Sequence, residues 1–173
     1  MNYMSMISET VSRLLGKKKT AKAGPKDVCE ILDRALEKAS GAIALSGCKV
    51  EKSLKRGFVI PEKQDALANA FVDIIYDCLN AMEGDKGELC LAVFQHAGKM
   101  MVVIKDNAKR VETTTDDHLI RARFKNGPDG LPLELMHTRS LFSQFGGAMG
   151  VSSDPEQGRL FTIAFKKHYS YLN

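Results

Sequence analysis

Two apolar segments separated by three residues constrain the fold of this chain most strongly. The segments are ELCLAVFQ (88–95) and KMMVVIKD (99–106), and His96, Ala97 and Gly98 lie between them. Apolar runs of this length joined by so short a connection predict a β-hairpin, which pairs its strands antiparallel. The second strand ends at Asp106, so the hairpin also delivers a carboxylate into the loop that follows.

Helical periodicity predicts three helices around this hairpin. Apolar residues recur at three- and four-residue spacing from about 26 to 45 and again from about 62 to 82. Pro61 stands at the start of the second of these helices, a position where a helix tolerates proline. The segment LPLELMHTRSLFSQF predicts a third helix over about 131–145, which Gly146 and Gly147 close.

Further strands are predicted at CKVEKSL (48–54), RGFVI (56–60), AMGVSSD (148–154) and RLFTIAFKK (159–167), the last two joined by a turn at PEQG. Strands joined by hairpins indicate an α+β fold: a two-layer α/β sandwich with a mixed, mostly antiparallel sheet and helices on one face. We expect a tail with a short helix and a basic linker over 1–25, one domain over 26–168, and a C-terminal tail over 169–173.

Composition excludes several functional classes. A chain of 173 residues holds one well-packed domain, and its net charge of +4 comes largely from lysines at 17–26, so no nucleic-acid surface is predicted. The four cysteines form no CxxC pair, which argues against zinc and a disulfide framework. No membrane-spanning segment or signal peptide is visible, so we expect a cytoplasmic protein. The first fifteen residues have the pattern of a short amphipathic helix, which could contact a membrane or a partner. We expect them instead to form a frayed terminus.

Four strings resemble the ATP-binding domain of bacterial sensor histidine kinases, within the Bergerat (GHKL) superfamily that includes DNA gyrase. They are DIIYDCLNAME (73–83), IKDNAKRV (104–111), ARFKNGPDGLPLEL (122–135) and FGGAMGVSSDPEQGRLFTIAF (145–165). The resemblance covers roughly residues 27–167 and is strongest in the last string, which concerns the fold more than the chemistry. It implies the Bergerat ATP-binding fold.

The first string resembles the helix that holds magnesium and faces the triphosphate in this superfamily. The register that keeps the apolar residues inward places Asp77 at the magnesium-binding position and Asp73 at the general-base position of gyrase-like members. Residues four apart share one helix face, so both carboxylates are expected in one cleft. A register based on Asn80 and Ala81 would turn Asp77 toward the core and is rejected. Asn80 stands where the family carries a basic residue.

The second and third strings resemble glycine-rich nucleotide-binding loops in which several glycines are replaced. Asp106 matches the residue that receives the adenine amino group, while Ala108 and Arg110 replace two glycines. Gly130 matches one retained glycine, and Pro132, which has no N–H to donate, replaces a later one. The resemblance implies a nucleotide site formed by Asp77, Asn80, Asp106, Ala108, Arg110 and Gly130. Arg110 is predicted to decide whether the pocket is open or closed. As an ordinary sequence feature, Asp106 could equally be a turn former that bonds its own backbone.

These departures predict a degenerate, stand-alone histidine-kinase-like domain. None of the four histidines, at 96, 118, 137 and 168, shows the pattern of a phosphoacceptor. We therefore expect the chain to act in bacterial signalling by binding a kinase, response regulator or sigma-factor regulator, without efficient ATP hydrolysis. One alternative is an active protein kinase of the anti-sigma-factor type that binds ATP and Mg²⁺. The other is an interaction scaffold with an empty pocket that dimerises through its first helix.

Overall fold

The computed structural model describes residues 26–60, 64–82, 86–109 and 131–166. The strands are β1 (Lys26–Asp27), β2 (Lys49–Leu54), β3 (Val59–Ile60), β4 (Glu88–His96), β5 (Lys99–Asp106), β6 (Gly147–Asp154) and β7 (Gly158–Phe165). The helices are α1 (Val28–Lys38), α2 (Ser40–Ser46), α3 (Gln64–Ala81), a 3₁₀ turn (Leu133–Leu135) and α4 (Met136–Gln144). None of the helices within these ranges is long and apolar enough to cross a membrane.

Five strands form one mixed sheet in the order β2-β4-β5-β7-β6. The predicted hairpin is confirmed: β4 and β5 pair antiparallel from Leu89 opposite Asp106 to His96 opposite Lys99. Ala97 and Gly98 form its turn with positive φ of 46° and 73°. Only β2 and β4 pair in parallel, and the connection between them contains α3. Because β7 pairs antiparallel with β5, the start of the last strand lies beside the end of β5.

The helices cover one face of this sheet, as predicted. Along β5 every second residue is buried, and the residues between are only half-buried, so one face belongs to the core. Helix α3 packs on α1 and α4 above that face. The rings of Phe71 on α3 and Phe142 on α4 lie 5.1 Å apart between centroids. The predicted two-layer arrangement is therefore correct, and it leaves the end of β5 and the start of β7 near α3.

The boundaries of the first and third helices differ from the prediction. The first helix breaks at Ala39 into α1 and α2, and α2 contains no buried residue. The third begins as a 3₁₀ turn after Pro132. Strand β3 lies within the predicted strand RGFVI (56–60), whereas β1 was not predicted, because a two-residue strand is too short to show a pattern. The predicted N-terminal and C-terminal tails lie outside the described residues, as do the last residues of the predicted domain.

Asp27 joins this small sheet to the first helix. Its Oδ1 accepts from the backbone N–H of Cys29 at 2.8 Å, which caps α1. Its Oδ2 accepts from the backbone N–H of Gly57 at 2.6 Å, in a loop where Gly57 has a φ of 107°. Asp27 is one of three buried polar side chains in the described part of the chain. One carboxylate therefore orients both α1 and the loop that leads into β3.

We expect Asp27→Ala to lower the free energy of unfolding by about 2 kcal/mol, because the change removes a helix cap and leaves a loop N–H without its acceptor. Urea denaturation followed by circular dichroism measures the loss. Glu37→Ala, at an exposed position of the same helix, is the matched control and should stay within about 0.5 kcal/mol of the wild type. Equal losses in the two variants would contradict the capping role.

Candidate functional site

A cavity of about 630 Å³ opens between α3, the 3₁₀ turn and α4, with the first part of β7 also lining it. Its lining residues are Asp73, Tyr76, Asp77, Asn80, Ala81, Pro132, Glu134, Leu135, His137, Thr138 and Arg159. The α3 residues among them recur at three- and four-residue spacing, so they share one face of the helix. This face carries polar side chains, while Phe71, Ile74 and Cys78 of the same helix are buried in the core.

The Arg159 side chain bridges two carboxylates of this site. Its Nη1 donates to Oδ2 of Asp77 at 2.7 Å, and its Nη2 donates to the carbonyl oxygen of Asp77 at 3.1 Å. Its Nε and Nη2 donate to Oδ2 of Asp106 at 2.9 and 2.7 Å. The guanidinium carbon also lies 5.1 Å from the ring centre of Phe161. A single cation therefore joins α3, the end of β5 and the start of β7.

Asp106 is almost completely buried, and each of its oxygens accepts two hydrogen bonds. Oδ1 accepts from the backbone N–H groups of Ala108 at 3.2 Å and Arg159 at 2.9 Å. Oδ2 accepts both bonds from the Arg159 side chain. A carboxylate offers about four lone-pair sites, so the accepting capacity of Asp106 is filled. The bond to Ala108 also shows the turn-forming role that was considered as the ordinary explanation for this residue.

The turn before Arg159 brings its backbone against the end of β5. Gly158 has a φ of 90°, and a Cβ at this position would collide with the carbonyl oxygen of Asp106. Asn107, which follows Asp106, is held by bonds of its own side chain. Its Oδ1 accepts from the N–H of Glu88 at 2.8 Å, and its Nδ2 donates to the carbonyl oxygen of Lys86 at 3.1 Å. Glycine at 158 is therefore what allows the Arg159 N–H to reach Asp106.

Asp73 lies one turn before Asp77 on α3 and bonds to α4. Its Oδ2 accepts from Oγ1 of Thr138 at 3.0 Å, and Thr138 is buried on α4. The bond connects α3 to α4 and orients the carboxylate. Asp73 is itself exposed, so its charge faces the solvent at the mouth of the cavity.

Burial and neighbouring charges shift the pKa values of the central pair. Burial raises the pKa of Asp77, and the charges of Asp106 and Glu134 add to the increase, while Arg159 opposes it. Burial lowers the pKa of Arg159, but its bonds and charge pairs with Asp106 and Asp77 outweigh this, so the net pKa rises. The guanidinium is therefore always charged, and the ionised form of Asp77 is disfavoured despite its ion pair.

The structure brings together most of the residues predicted for the site. Asp73, Asp77 and Asn80 line the same cavity, and Asp106 lies beneath it, joined to Asp77 through Arg159. Ala108 is buried beside Asp106. The other two predicted residues, Arg110 and Gly130, lie outside the described residues, so the proposed role of Arg110 stays a prediction.

Arg159 was missed by the sequence analysis. Its signal was available, because a basic residue directly follows the glycine of the predicted PEQG turn and begins the last strand. Recognising the role of Arg159 required the strand order of the sheet, in which β7 lies between β5 and β6. The pattern of hydrophobic residues does not specify that order.

In this arrangement the donor set does not fit a magnesium-bound adenine nucleotide. Asp106 has no acceptor left for a base amino group, and one Asp77 oxygen holds a guanidinium where a metal ligand would be needed. Among the residues that the structure describes, no group of three or more histidine, cysteine or acidic side chains could hold a metal ion. Pro132 lines the cavity and contributes no N–H to a phosphate.

Comparisons with known proteins define the class of fold. No protein-family model and no curated protein matches the sequence. The mycobacterial sensor histidine kinase MprB matches with a TM-score of 0.64 at 20% identity, over 86% of this chain and 98% of that one. Full-length ShkA in complex with AMPPNP matches with a TM-score of 0.64 at 19% identity, over 98% of this chain and 38% of that one.

A third structure, histidine kinase ThkA in complex with the response regulator TrrA, matches with a TM-score of 0.62 at 12% identity, over 95% of this chain and 48% of that one. The chain therefore has the fold of the catalytic (ATPase) domain of histidine kinases, and the predicted fold class is confirmed. Likeness at such low identity establishes the fold, while the function depends on the residues of the site.

Replacing Gly158 with alanine should lower the free energy of unfolding by at least ~2 kcal/mol, because the position needs a positive φ and has no room for a methyl group. Chemical denaturation provides the measurement. Gly150→Ala is the control, since a Cβ there meets nothing within 4 Å, and it should change stability by less than about 0.5 kcal/mol. Similar stability in both variants would refute the close approach of β7 to Asp106.

We expect Asp77→Asn to be at least as stable as the wild type at neutral pH. The raised pKa of Asp77 means that its ionised form costs stability once the pH exceeds the folded-state pKa. This cost is relieved as the pH falls through that pKa toward about 3.9, the ordinary value of an unfolded aspartate. The stability difference between Asp77→Asn and the wild type should therefore shrink on acidification. Unfolding curves at several pH values measure it, and a gap that widens toward acid pH would contradict the direction of the shift.

Proposed function

We propose that this chain is a degenerate histidine-kinase-like domain that acts in bacterial signal transduction by binding another protein, without efficient ATP hydrolysis. The observation that carries the proposal is the double ion pair of Arg159 with Asp106 and Asp77. The Arg159 side chain occupies the carboxylates of Asp106 and Asp77, which are the groups that would bind a nucleotide and its magnesium ion in this fold.

The first support is the state of Asp106. All four of its hydrogen bonds come from this chain, two of them from a guanidinium, which binds a carboxylate more strongly than a neutral amino group does. A base amino group would have to displace a charged donor from a buried carboxylate. Exchanging a charge-assisted bond for a neutral one inside the protein is unfavourable.

The second support is the charge of the cavity. Asp73, Asp77 and Glu134 line it, and the one Lys or Arg among its described lining residues is Arg159, which is already paired. A triphosphate would meet carboxylates without a free cation from these residues. Electrostatic repulsion therefore disfavours it.

Protein binding is supported by the fold and by one relative. ThkA, which shares the fold, has been solved in complex with the response regulator TrrA. We propose that the partner of this chain is likewise a signalling protein: a kinase, a response regulator or a sigma-factor regulator. A domain that does not hydrolyse ATP can still bind a signalling protein through its surface.

A second candidate function is an ATP- and magnesium-dependent protein kinase of the anti-sigma-factor type. The observation that favours it is the presence of Asp73 and Asp77 on one wall of a cavity large enough for a small ligand. In that case Asp73 would act as the general base, Asp77 would bind magnesium, and Arg159 would have to leave Asp106.

Titration with ATP and ADP, with and without Mg²⁺, distinguishes these functions. We expect no rise in melting temperature up to millimolar nucleotide and no release of phosphate. A nucleotide with a Kd one-hundredth of its concentration would stabilise the protein by about 2.7 kcal/mol, which is readily detected. A shift that Asp106→Asn removes, together with hydrolysis that Asp73→Asn removes, would overturn the proposal in favour of the kinase.

Binding to purified kinases and response regulators from the same cell tests the other half of the proposal. We expect at least one to bind with a defined stoichiometry in calorimetry, and the affinity to be unchanged by added ATP. Absence of binding across that set would contradict a role in signalling through protein contacts.

A further inference from the structure

The mouth of the cavity combines apolar and acidic side chains. Tyr76 lines the cavity and is 41% exposed. Leu133 is not a lining residue, but it lies between the lining residues Pro132 and Glu134 and is 51% exposed. They are two of the four large hydrophobic side chains that are exposed in the described part of the chain. Exposed aromatic and aliphatic groups beside a concave surface are typical of protein-binding sites.

The charge of the cavity selects the chemistry of its occupant. Its three carboxylates belong to Asp73, Asp77 and Glu134, and the buried Asp106 lies behind them. Arg159 supplies one positive charge against these four negative ones, and it is bonded to Asp77 and Asp106. Asp73 and Glu134 are exposed and make no ion pair with another residue in the described ranges. No cation of the described residues therefore compensates these two carboxylates at the mouth.

We propose that this cavity is the docking site for a partner protein segment that presents an arginine or lysine side chain beside an apolar residue. The inference rests on the proposed protein-binding function and names the chemistry of the partner at that site. The cationic side chain enters between Asp73 and Glu134, and the apolar residue packs on Tyr76 and Leu133.

Charge complementarity and one internal contact support this occupant. Arg159 already shows that a carboxylate on this face of α3 accepts a guanidinium, with Nη1 at 2.7 Å from Asp77 Oδ2. Asp73 lies one turn before Asp77 on the same face. The exposed ring of Tyr76 can contact the face of a guanidinium or the aliphatic part of a lysine side chain. The raised pKa of Asp77, to which Glu134 contributes, is consistent with an excess of negative charge here.

The test uses the full chain and two synthetic peptides that differ in charge alone. One is acetyl-Leu-Arg-Leu-amide, and the other carries citrulline, the neutral isostere of arginine, in place of arginine. We expect the arginine peptide to shift the backbone NMR signals of Tyr76, Asp77 and Leu133 at low salt, and the citrulline peptide to leave them in place. Raising the salt to 0.5 M should reverse the shifts. Equal effects of the two peptides, or no effect of either, would overturn the proposal.

Two charge-neutralising variants locate the site. Asp73→Asn retains an acceptor for Thr138, and Glu134→Gln retains the size of the side chain. Each should lower the affinity for the arginine peptide about two- to fivefold, the range measured for exposed ion pairs. Glu37→Gln, which removes one exposed carboxylate from α1, is the matched control and should leave the affinity unchanged. Equal losses in all three variants would show a general effect of net charge and overturn the proposal.

The chain's own basic residues are the competing occupants. Arg121, Arg123 and Lys125 lie outside the described residues, and a variant with serine at all three positions tests them. We expect this variant to bind the arginine peptide as the wild type does. Binding that is detected only in the variant would assign the cavity to the chain itself and overturn the proposal.

Failure of this inference is separable from failure of the proposed function. A signalling protein that binds with the same affinity to Asp73→Asn, Glu134→Gln and the wild type leaves the protein-binding function intact and moves the interface elsewhere. Nucleotide hydrolysis, in contrast, would overturn the proposed function independently of either peptide.

Discussion

The ion pairs of Arg159 join three elements of this domain beside the cavity. The last strand of the sheet supplies the arginine, the end of β5 supplies Asp106, and α3 supplies Asp77. A carboxylate buried as deeply as Asp106 requires a paired cation and filled hydrogen bonds. Among the described residues Arg159 provides the cation and three of the four hydrogen bonds, and the Ala108 N–H provides the fourth. The bonds of Arg159 therefore join α3 to the end of β5 and the start of β7 beside the cavity.

The ion pairs of Arg159 also affect which ligands the cavity of this shared fold can accept. The chain has the fold of a histidine kinase catalytic domain. Its cavity, however, is lined by carboxylates, with its one described arginine already engaged. Such a lining disfavours an anionic ligand and favours a cationic one by simple electrostatics. This lining supports the proposal of protein recognition in place of phosphoryl transfer, because one fold can carry different functions.

Sequence reasoning succeeded where the signal is periodic and local. The hairpin ending at Asp106 and helix α3 with Asp73 and Asp77 on one face followed from alternation and from four-residue spacing. It was less accurate for the first helix, where a single periodic run spans a break at Ala39. It missed β1, because two residues cannot display a period, whereas β3 formed within the predicted strand over 56–60. Helix boundaries and very short strands depend on capping contacts such as those of Asp27, which join residues thirty positions apart.

The sequence by itself determined that this chain forms a mixed sheet covered by helices, and it predicted a nucleotide site with carboxylates at Asp73, Asp77 and Asp106. It pointed to Arg110 as the residue that controls the pocket. Only the tertiary structure brought Arg159 against Asp106 and Asp77, across 53 and 82 positions of sequence. The physical reason is that hydrophobic periodicity specifies which face of an element is buried, whereas strand order and register specify which distant side chains meet. A glycine turn at 158 and the pairing of β7 with β5 create that meeting, and no local pattern contains it.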